Sequence, residues 1–109
     1  MADPVMTQVL PEERTYDVEL HTVLGRRSGQ MKLFLSGESF SGILRLMGFE
    51  NSLSGHTLSD GTCHMTGCIR TRMGRCPFEG KGTLLRDQVE AQLRCKGVSL
   101  SLRGSRKEE

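Results

Sequence analysis

The strongest constraint on the fold of this chain is that it resembles itself when it is shifted by 49 residues. Without gaps, 11 of the 38 positions in residues 18–55 are identical to their partners in residues 67–104. The identities include leucines and the glycines between them: Gly25 with Gly74, Leu44 with Leu93, Gly48 with Gly97 and Gly55 with Gly104. A fixed internal period of this kind indicates a duplicated structural unit. We therefore predict two copies of one unit, at about 15–55 and about 64–104.

Within each copy, apolar and polar residues alternate with period two, which is typical of strands with one buried face. The inward residues of the first copy fall in 16–24, 31–35, 40–46 and 49–53, and those of the second in 65–73, 78–84, 89–95 and 98–102. Each copy is therefore expected to form four strands, with Leu44 and Leu93 turned inward.

Turn residues divide these strands into hairpins. Met47-Gly48 and Lys96-Gly97 suit two-residue reversals, in which glycine supplies the positive φ. The other turns are expected at Gly37-Glu38, Arg86-Asp87 and Asp60-Gly61. Counting outward from these turns predicts four inward cross-strand pairs: Leu33 with Gly42, Gly42 with Leu53, Leu44 with Asn51, and Gly80 with Leu93.

Eight hairpin-linked strands with one apolar face need that face covered, and no amphipathic helical pattern is present to cover it. A closed eight-stranded antiparallel up-and-down β-barrel satisfies this requirement and leaves no edge strands, so it is the predicted fold. A two-sheet β-sandwich is the alternative. Eight strands enclose an interior just wide enough for side chains or one small ligand.

The chain is long enough for one domain, and 36% hydrophobic with 26% charged residues is an ordinary globular composition. The barrel is expected at 15–104, after an N-terminal arm at 1–14 and before a charged tail at 105–109. The N-terminus has neither a basic region nor an apolar run, so a cytoplasmic location is expected. In that compartment the four cysteines are expected to be free thiols.

The predicted interior carries a few polar positions among its apolar ones. Tyr16, Thr22, Asn51 and Thr71 point inward, and small residues such as Gly42 and Gly80 leave volume beside them. An apolar lining with a few hydrogen-bonding groups is typical of a small-molecule site. Alternatively, the small residues let the barrel close tightly and the polar groups bind the backbone. Asn51 is the preferred ligand-orienting residue, because its counterpart in the second copy is Leu100.

The outer faces of the two copies differ. Val23, Phe34 and Ile43 point outward in the first copy, where the second has Arg72, Thr83 and Gln92. Exposed apolar clusters mark contacts with other proteins, although single exposed apolar residues are common on any protein surface. The three residues are therefore candidates for an interface, with a second copy of the chain or with another protein.

Other site types have weaker support. Cys63 and Cys95 are expected inside, Cys68 and His64 outside and Cys76 in a loop, so no four metal ligands converge. The predicted strands carry no paired inward carboxylates, and no nucleophile or phosphate-loop motif is present. Arginines recur at corresponding corners, after Gly25 and Gly74, where an anion could bind. The net charge of +2 is too small to predict nucleic-acid binding.

These features predict a cofactor-free binding barrel for a small apolar or amphipathic ligand, self-associating and acting at neither nucleic acid nor membrane. A non-catalytic accessory protein with a filled core, docking on a partner enzyme, is the second hypothesis. A barrel enzyme of cyclase or isomerase type is the third.

Overall fold

The chain folds into a closed barrel of eight antiparallel strands in sequence order. The computed structural model describes residues 12–23, 25–72 and 74–107. The strands are β1 Glu12–Thr22, β2 Gly25–Ser36, β3 Ser39–Leu46, β4 Phe49–Thr57, β5 Thr62–Thr71, β6 Gly74–Leu84, β7 Gln88–Cys95 and β8 Val98–Arg106. The predicted up-and-down barrel is confirmed, and β8 returns to pair with β1.

The barrel extends beyond the boundaries expected from the sequence. β1 begins at Glu12 rather than near residue 15, because Glu12 still pairs with Leu35 of β2. At the other end, β8 runs to Arg106, which pairs with Tyr16. The expected arm therefore contributes residues 12–14 to the sheet. Residues 1–11 and 108–109, which belong to the expected arm and tail, lie outside the described residues.

All four predicted inward pairs are present. Leu33 lies opposite Gly42, Gly42 opposite Leu53, Leu44 opposite Asn51, and Gly80 opposite Leu93. The tight turns have the predicted backbone, with φ of 53° and 82° at Met47 and Gly48 and of 52° and 80° at Lys96 and Gly97. Two consecutive positive φ values match the twist of the flanking strands, and this local geometry sets the hairpin registers.

The hairpin registers recur along the chain. When 49 is added to each residue number, the registers of β1–β2, β2–β3 and β3–β4 become those of β5–β6, β6–β7 and β7–β8. This agreement supports the duplication, which stays a prediction. The two junctions between the halves differ: Leu102 lies opposite Leu20 in β8–β1, but its counterpart Leu53 lies opposite Gly67 in β4–β5. The β4–β5 junction is therefore shifted by two residues.

Inward side chains from all eight strands form one core. Leu44 and Leu93 are at most 1% exposed, as predicted. Val98 was expected inside, but it is 44% exposed because it follows the Lys96-Gly97 turn at the rim of the barrel.

The expectation that all cysteines are free thiols is wrong for two of them. Cys76 and Cys95 form a disulfide. Cys76 was assigned to a loop, but β6 already begins at Gly74, and this places Cys76 beside the inner face of neighbouring β7. The two Cα atoms are 6.0 Å apart, within the range that a disulfide spans. Cys63 and Cys68 are free.

Candidate functional site

The interior of the barrel is occupied by side chains that pack against inward glycines. A methyl group added at Gly42 would collide with the backbone oxygen of Lys32 and lie 2.9 Å from Cδ2 of Leu33. One at Gly67 would lie 2.7 Å from the backbone oxygen of Ser52 and 2.8 Å from the ring of Phe78. At Gly80 it would collide with Cδ2 of Leu93. These small residues therefore let neighbouring backbone and large side chains such as those of Phe78 and Leu93 approach closely.

A groove of about 660 Å³ lies instead across β2, β1, β8 and β7 on the outside. Its walls include the outward side chains of Glu19, Glu90 and Arg103, with Nε of Arg103 3.9 Å from a carboxylate oxygen of Glu90. The groove is open and charged, so it differs from an enclosed apolar ligand site.

Asn51 is 2% exposed and both ends of its amide have protein partners. Nδ2 donates to the backbone oxygen of Leu44 at 3.0 Å, and Oδ1 accepts from the backbone nitrogen of Arg70 at 2.8 Å. The amide therefore links β3 and β5 through β4, at the junction between the two halves. Its proposed ligand-orienting role stays a prediction, while its hydrogen bonds give it a structural one.

Tyr16 lies at the opposite end of the barrel and is fully buried. Its hydroxyl donates to the backbone oxygen of Leu85 at 2.7 Å and accepts from Nη1 of Arg14 at 3.4 Å. Nε of Arg14 in turn lies 2.8 Å from Glu12, and this hydrogen bond holds the pKa of the Glu12 carboxyl below its usual value. Tyr16 thus anchors the β6–β7 loop, and the Arg14–Glu12 pair lies beside it.

Thr22 and Thr71 occupy corresponding ends of β1 and β5. The Thr22 hydroxyl donates to the backbone oxygen of Gly25 at 2.9 Å, and that of Thr71 to Gly74 at 3.1 Å. Both bonds close a hairpin turn. The structure therefore places the four polar candidates at separate points of the barrel and does not bring them together around one cavity.

The three apolar candidates on the outside are also divided. Phe34 is 40% exposed and Ile43 is half-buried, and they lie diagonally across β2 and β3, since Phe34 pairs with Ser41 and Ile43 with Lys32. Val23 is 86% exposed in the β1–β2 turn. Phe34 lies nine residues after Gly25, where β2 begins, and this corresponds to roughly 30 Å along the strand. Val23 therefore belongs to a different surface from Phe34.

The sequence analysis missed four further exposed apolar residues of the described part of the chain: Met47, Leu58, Leu85 and Val98. Met47 is 40% exposed in the β3–β4 turn, and Val98 follows the β7–β8 turn. The signal for Met47 was present, because turns favour glycine, asparagine, aspartate and serine over methionine.

Reactive groups are dispersed in the described part of the barrel. Asn51 is the one residue in the buried polar class among the described residues, so none of their acids or histidines is buried. No three histidine, cysteine or acidic side chains of those residues lie close enough together to hold a metal ion. His64 faces outward opposite His56, while Cys63 beside it is buried. Residues 12–23, 25–72 and 74–107 form no helix long and apolar enough to cross a membrane.

The comparisons with known proteins assign no family to this arrangement. The chain matches no protein-family model, no curated protein and no solved structure.

Proposed function

We propose that this chain is a non-catalytic interaction protein that self-associates through its outer wall and holds no small molecule in its interior. The packing of the interior carries this proposal. Inward glycines are covered by side chains such as Leu33 and Phe78. In addition, no buried side-chain nitrogen or oxygen of the described residues lacks a hydrogen-bond partner. A ligand site would need volume or unpartnered polar groups, and an enzyme would need a reactive group in a cleft.

The interface we propose is the β2–β3 patch, which consists of Phe34 and Ile43. The corresponding positions on β6 and β7 are Thr83 and Gln92, so the second half has no apolar patch at the matching place. Exposed apolar side chains on neighbouring strands are a feature of contact surfaces.

The charges around the β2–β3 patch favour a second copy of this chain as its occupant. Lys32 Nζ lies 4.0 Å from Glu13, and Arg45 Nη2 lies 2.9 Å from Glu50. Each cation therefore has its own carboxylate, and two such patches can meet without net repulsion. Across a two-fold axis, Lys32 of one copy can also approach Glu13 of the other. A barrel of this size buries a limited area alone, so association would stabilise it.

Sedimentation velocity of three proteins tests the interface. We expect the wild type to form a dimer as its concentration rises, and Phe34→Glu to remain monomeric because the charge would be buried in the contact. Thr83→Glu is the matched control, since it places the same charge at the corresponding position of β6, and it should dimerise like the wild type. A monomeric wild type, or a Phe34→Glu variant that dimerises normally, would overturn the proposed interface.

Native mass spectrometry tests the packed interior. Protein purified under mild conditions should have the mass of the polypeptide or of its dimer. A small molecule that remains bound, and that is lost in Asn51→Leu, would instead establish the ligand-binding hypothesis.

The disulfide bears on the location of the protein. The cytoplasmic location is expected from the N-terminus, and the free thiols are expected from that location. Disulfides such as Cys76–Cys95 persist in oxidising compartments, so this bond argues against the expected cytoplasmic location.

A further inference from the structure

The net positive charge of the described residues is concentrated at one end of the barrel. The turns of the β1–β2, β3–β4, β5–β6 and β7–β8 hairpins all lie at the same end, which we call the basic end. We assign to it the described residues of 18–30, 43–53, 67–79 and 92–102. These hold eight cations and three carboxylates, a net charge of +5: Arg26, Arg27, Arg45, Arg70, Arg72, Arg75, Arg94 and Lys96 against Glu19, Glu50 and Glu79. The remaining described residues hold seven cations and seven carboxylates.

The β5–β6 hairpin carries the least compensated part of this charge. Arg70 lies directly opposite Arg75, and Arg72 follows in the turn. Like charges in directly opposed positions destabilise a hairpin. In the described part of the chain, no carboxylate lies within 4.0 Å of these three arginines.

The corresponding hairpin of the first half shows what is missing. There His21 lies opposite Arg26, and Glu19 approaches His21 to 3.4 Å and Arg26 to 4.0 Å. The counterpart of Glu19 on β5 is Cys68. The second half therefore lacks the acid and has an arginine in place of the histidine, and a bound anion would offset the resulting repulsion.

Exposed apolar side chains project from the same end. Val23, Met47 and Val98 are 86%, 40% and 44% exposed, and each lies in or beside a different hairpin turn of the basic end. Met47 has φ of 53°, a left-handed conformation in which asparagine or aspartate is several-fold enriched over other side chains. Neither packing nor backbone preference accounts for a methionine at this position.

The opposite end has a different character. Its turns also expose leucines, Leu58 and Leu85, but each loop includes an aspartate, Asp60 or Asp87. The combination of apolar turn residues with excess positive charge is therefore specific to the basic end.

We propose that the basic end docks on an anionic lipid surface, with its arginines on lipid phosphates and Val23, Met47 and Val98 in the headgroup layer. Basic residues around exposed apolar ones are the features by which proteins bind at a membrane interface without crossing it. The expectation that the protein does not act at a membrane was based on the lack of a spanning segment, which surface docking does not need.

Two other anionic partners fit less well. Single-stranded nucleic acid is bound through several aromatic side chains on which successive bases stack. Among the described residues, the basic end has one aromatic side chain that is not buried, the half-buried Phe49, while the others are buried or, in the case of Phe34, lie near the opposite end. An acidic protein would satisfy the arginines but would not account for apolar residues at separate turns, which together suit a broad and deformable surface.

Vesicle co-sedimentation of the full chain tests the proposal. We expect the wild type to bind phosphatidylcholine vesicles that contain phosphatidylserine and to dissociate from them as the salt concentration rises. It should not bind vesicles of phosphatidylcholine alone. Arg70→Glu/Arg75→Glu should weaken this binding by about tenfold or more. Lys81→Glu/Lys107→Glu is the matched control, because it changes the net charge equally at exposed positions away from the basic end, and it should bind nearly normally.

The Met47→Asn variant tests the contribution of apolar insertion to vesicle binding separately from that of charge. Asparagine suits the positive φ, so the fold should be at least as stable, yet binding should weaken severalfold at unchanged net charge. Equal binding to both vesicle types, or equal loss in the two charge variants, would overturn the proposal. It would also be overturned if heparin or single-stranded DNA were bound while the anionic vesicles were not.

Discussion

Oδ1 of Asn51 accepts a hydrogen bond from the backbone nitrogen of Arg70 at 2.8 Å, across a junction where the strands have stopped pairing. The β4–β5 ladder ends at Leu53 and Gly67. At the other junction, β8–β1, the ladder continues to His21 and Ser101. The two-residue shift between these junctions explains why one half needs an asparagine where the other has Leu100.

Replacement of Asn51 by the leucine of the second half should destabilise the barrel. Asn51→Leu leaves the part-buried backbone nitrogen of Arg70 without this partner, and the loss of such a hydrogen bond costs about 0.5–1.5 kcal/mol. Urea unfolding measures this loss, and hydrogen exchange should show faster exchange at the Arg70 amide. Unchanged exchange at Arg70 would contradict the role we assign to Asn51.

The inward glycines should be sensitive to a single methyl group. Gly80→Ala would collide with the side chain of Leu93 and should cost about 1–3 kcal/mol. Leu93→Ala alone should cost about 2–5 kcal/mol. Because the two residues share one space, the double variant should lose less than the sum. Additive losses would show that the two side chains do not compete.

Gly82→Ala provides the control for that cycle. A methyl group at Gly82 meets the backbone oxygen of Glu90, which no side-chain truncation can move. Its loss of stability should therefore add to that of Leu93→Ala. Both cycles are measured by denaturant unfolding.

The Cys76–Cys95 bond should contribute measurably to stability. It joins residues 19 apart, and a loop of that size corresponds to about 3 kcal/mol in the chain-entropy account. Cys76→Ser should lower the unfolding free energy by up to that amount, and a reductant should have a similar effect on the wild type. Cys68→Ser, at a free and partly exposed thiol, should change it by less than about 0.5 kcal/mol. Equal effects of the two variants would contradict this assignment.

The two free thiols should differ in reactivity. Burial raises the pKa of Cys63, an effect that a hydrogen bond from the Gly82 backbone opposes in part. A thiol reagent should therefore label Cys68 quickly in the folded protein and Cys63 only on unfolding. Labelling of both thiols at one rate would contradict the burial of Cys63.

The raised pKa of Cys63 also makes the free energy of unfolding depend on pH. Above the ordinary thiol value of 9.0, the unfolded chain releases the Cys63 proton while the folded chain still holds it. The unfolding free energy should therefore fall as pH rises from there. Urea unfolding of the wild type and Cys63→Ala across this range measures the difference, which should be absent in the variant.

Local chemistry in the sequence was sufficient to predict the strands and the hairpin registers. The inward or outward direction of a side chain follows from period-two alternation, and Met47-Gly48 and Lys96-Gly97 set the pairing of the strands beside them. These features depend on residues close together in the chain, so Leu44 opposite Asn51 and Gly80 opposite Leu93 could be counted in advance.

Tertiary structure alone decided what happens between distant residues. No turn links β8 to β1, and the β4–β5 loop has four residues rather than the two of the tight turns. The closure of the barrel and the packing of the core therefore set the two-residue shift that Asn51 bridges. The Cys76–Cys95 bond and the filling of glycine sites by Leu33, Phe78 and Leu93 likewise depend on how neighbouring strands approach. Alternation specifies which face a side chain is on, whereas volume and distance inside the barrel arise only when all eight strands are in place.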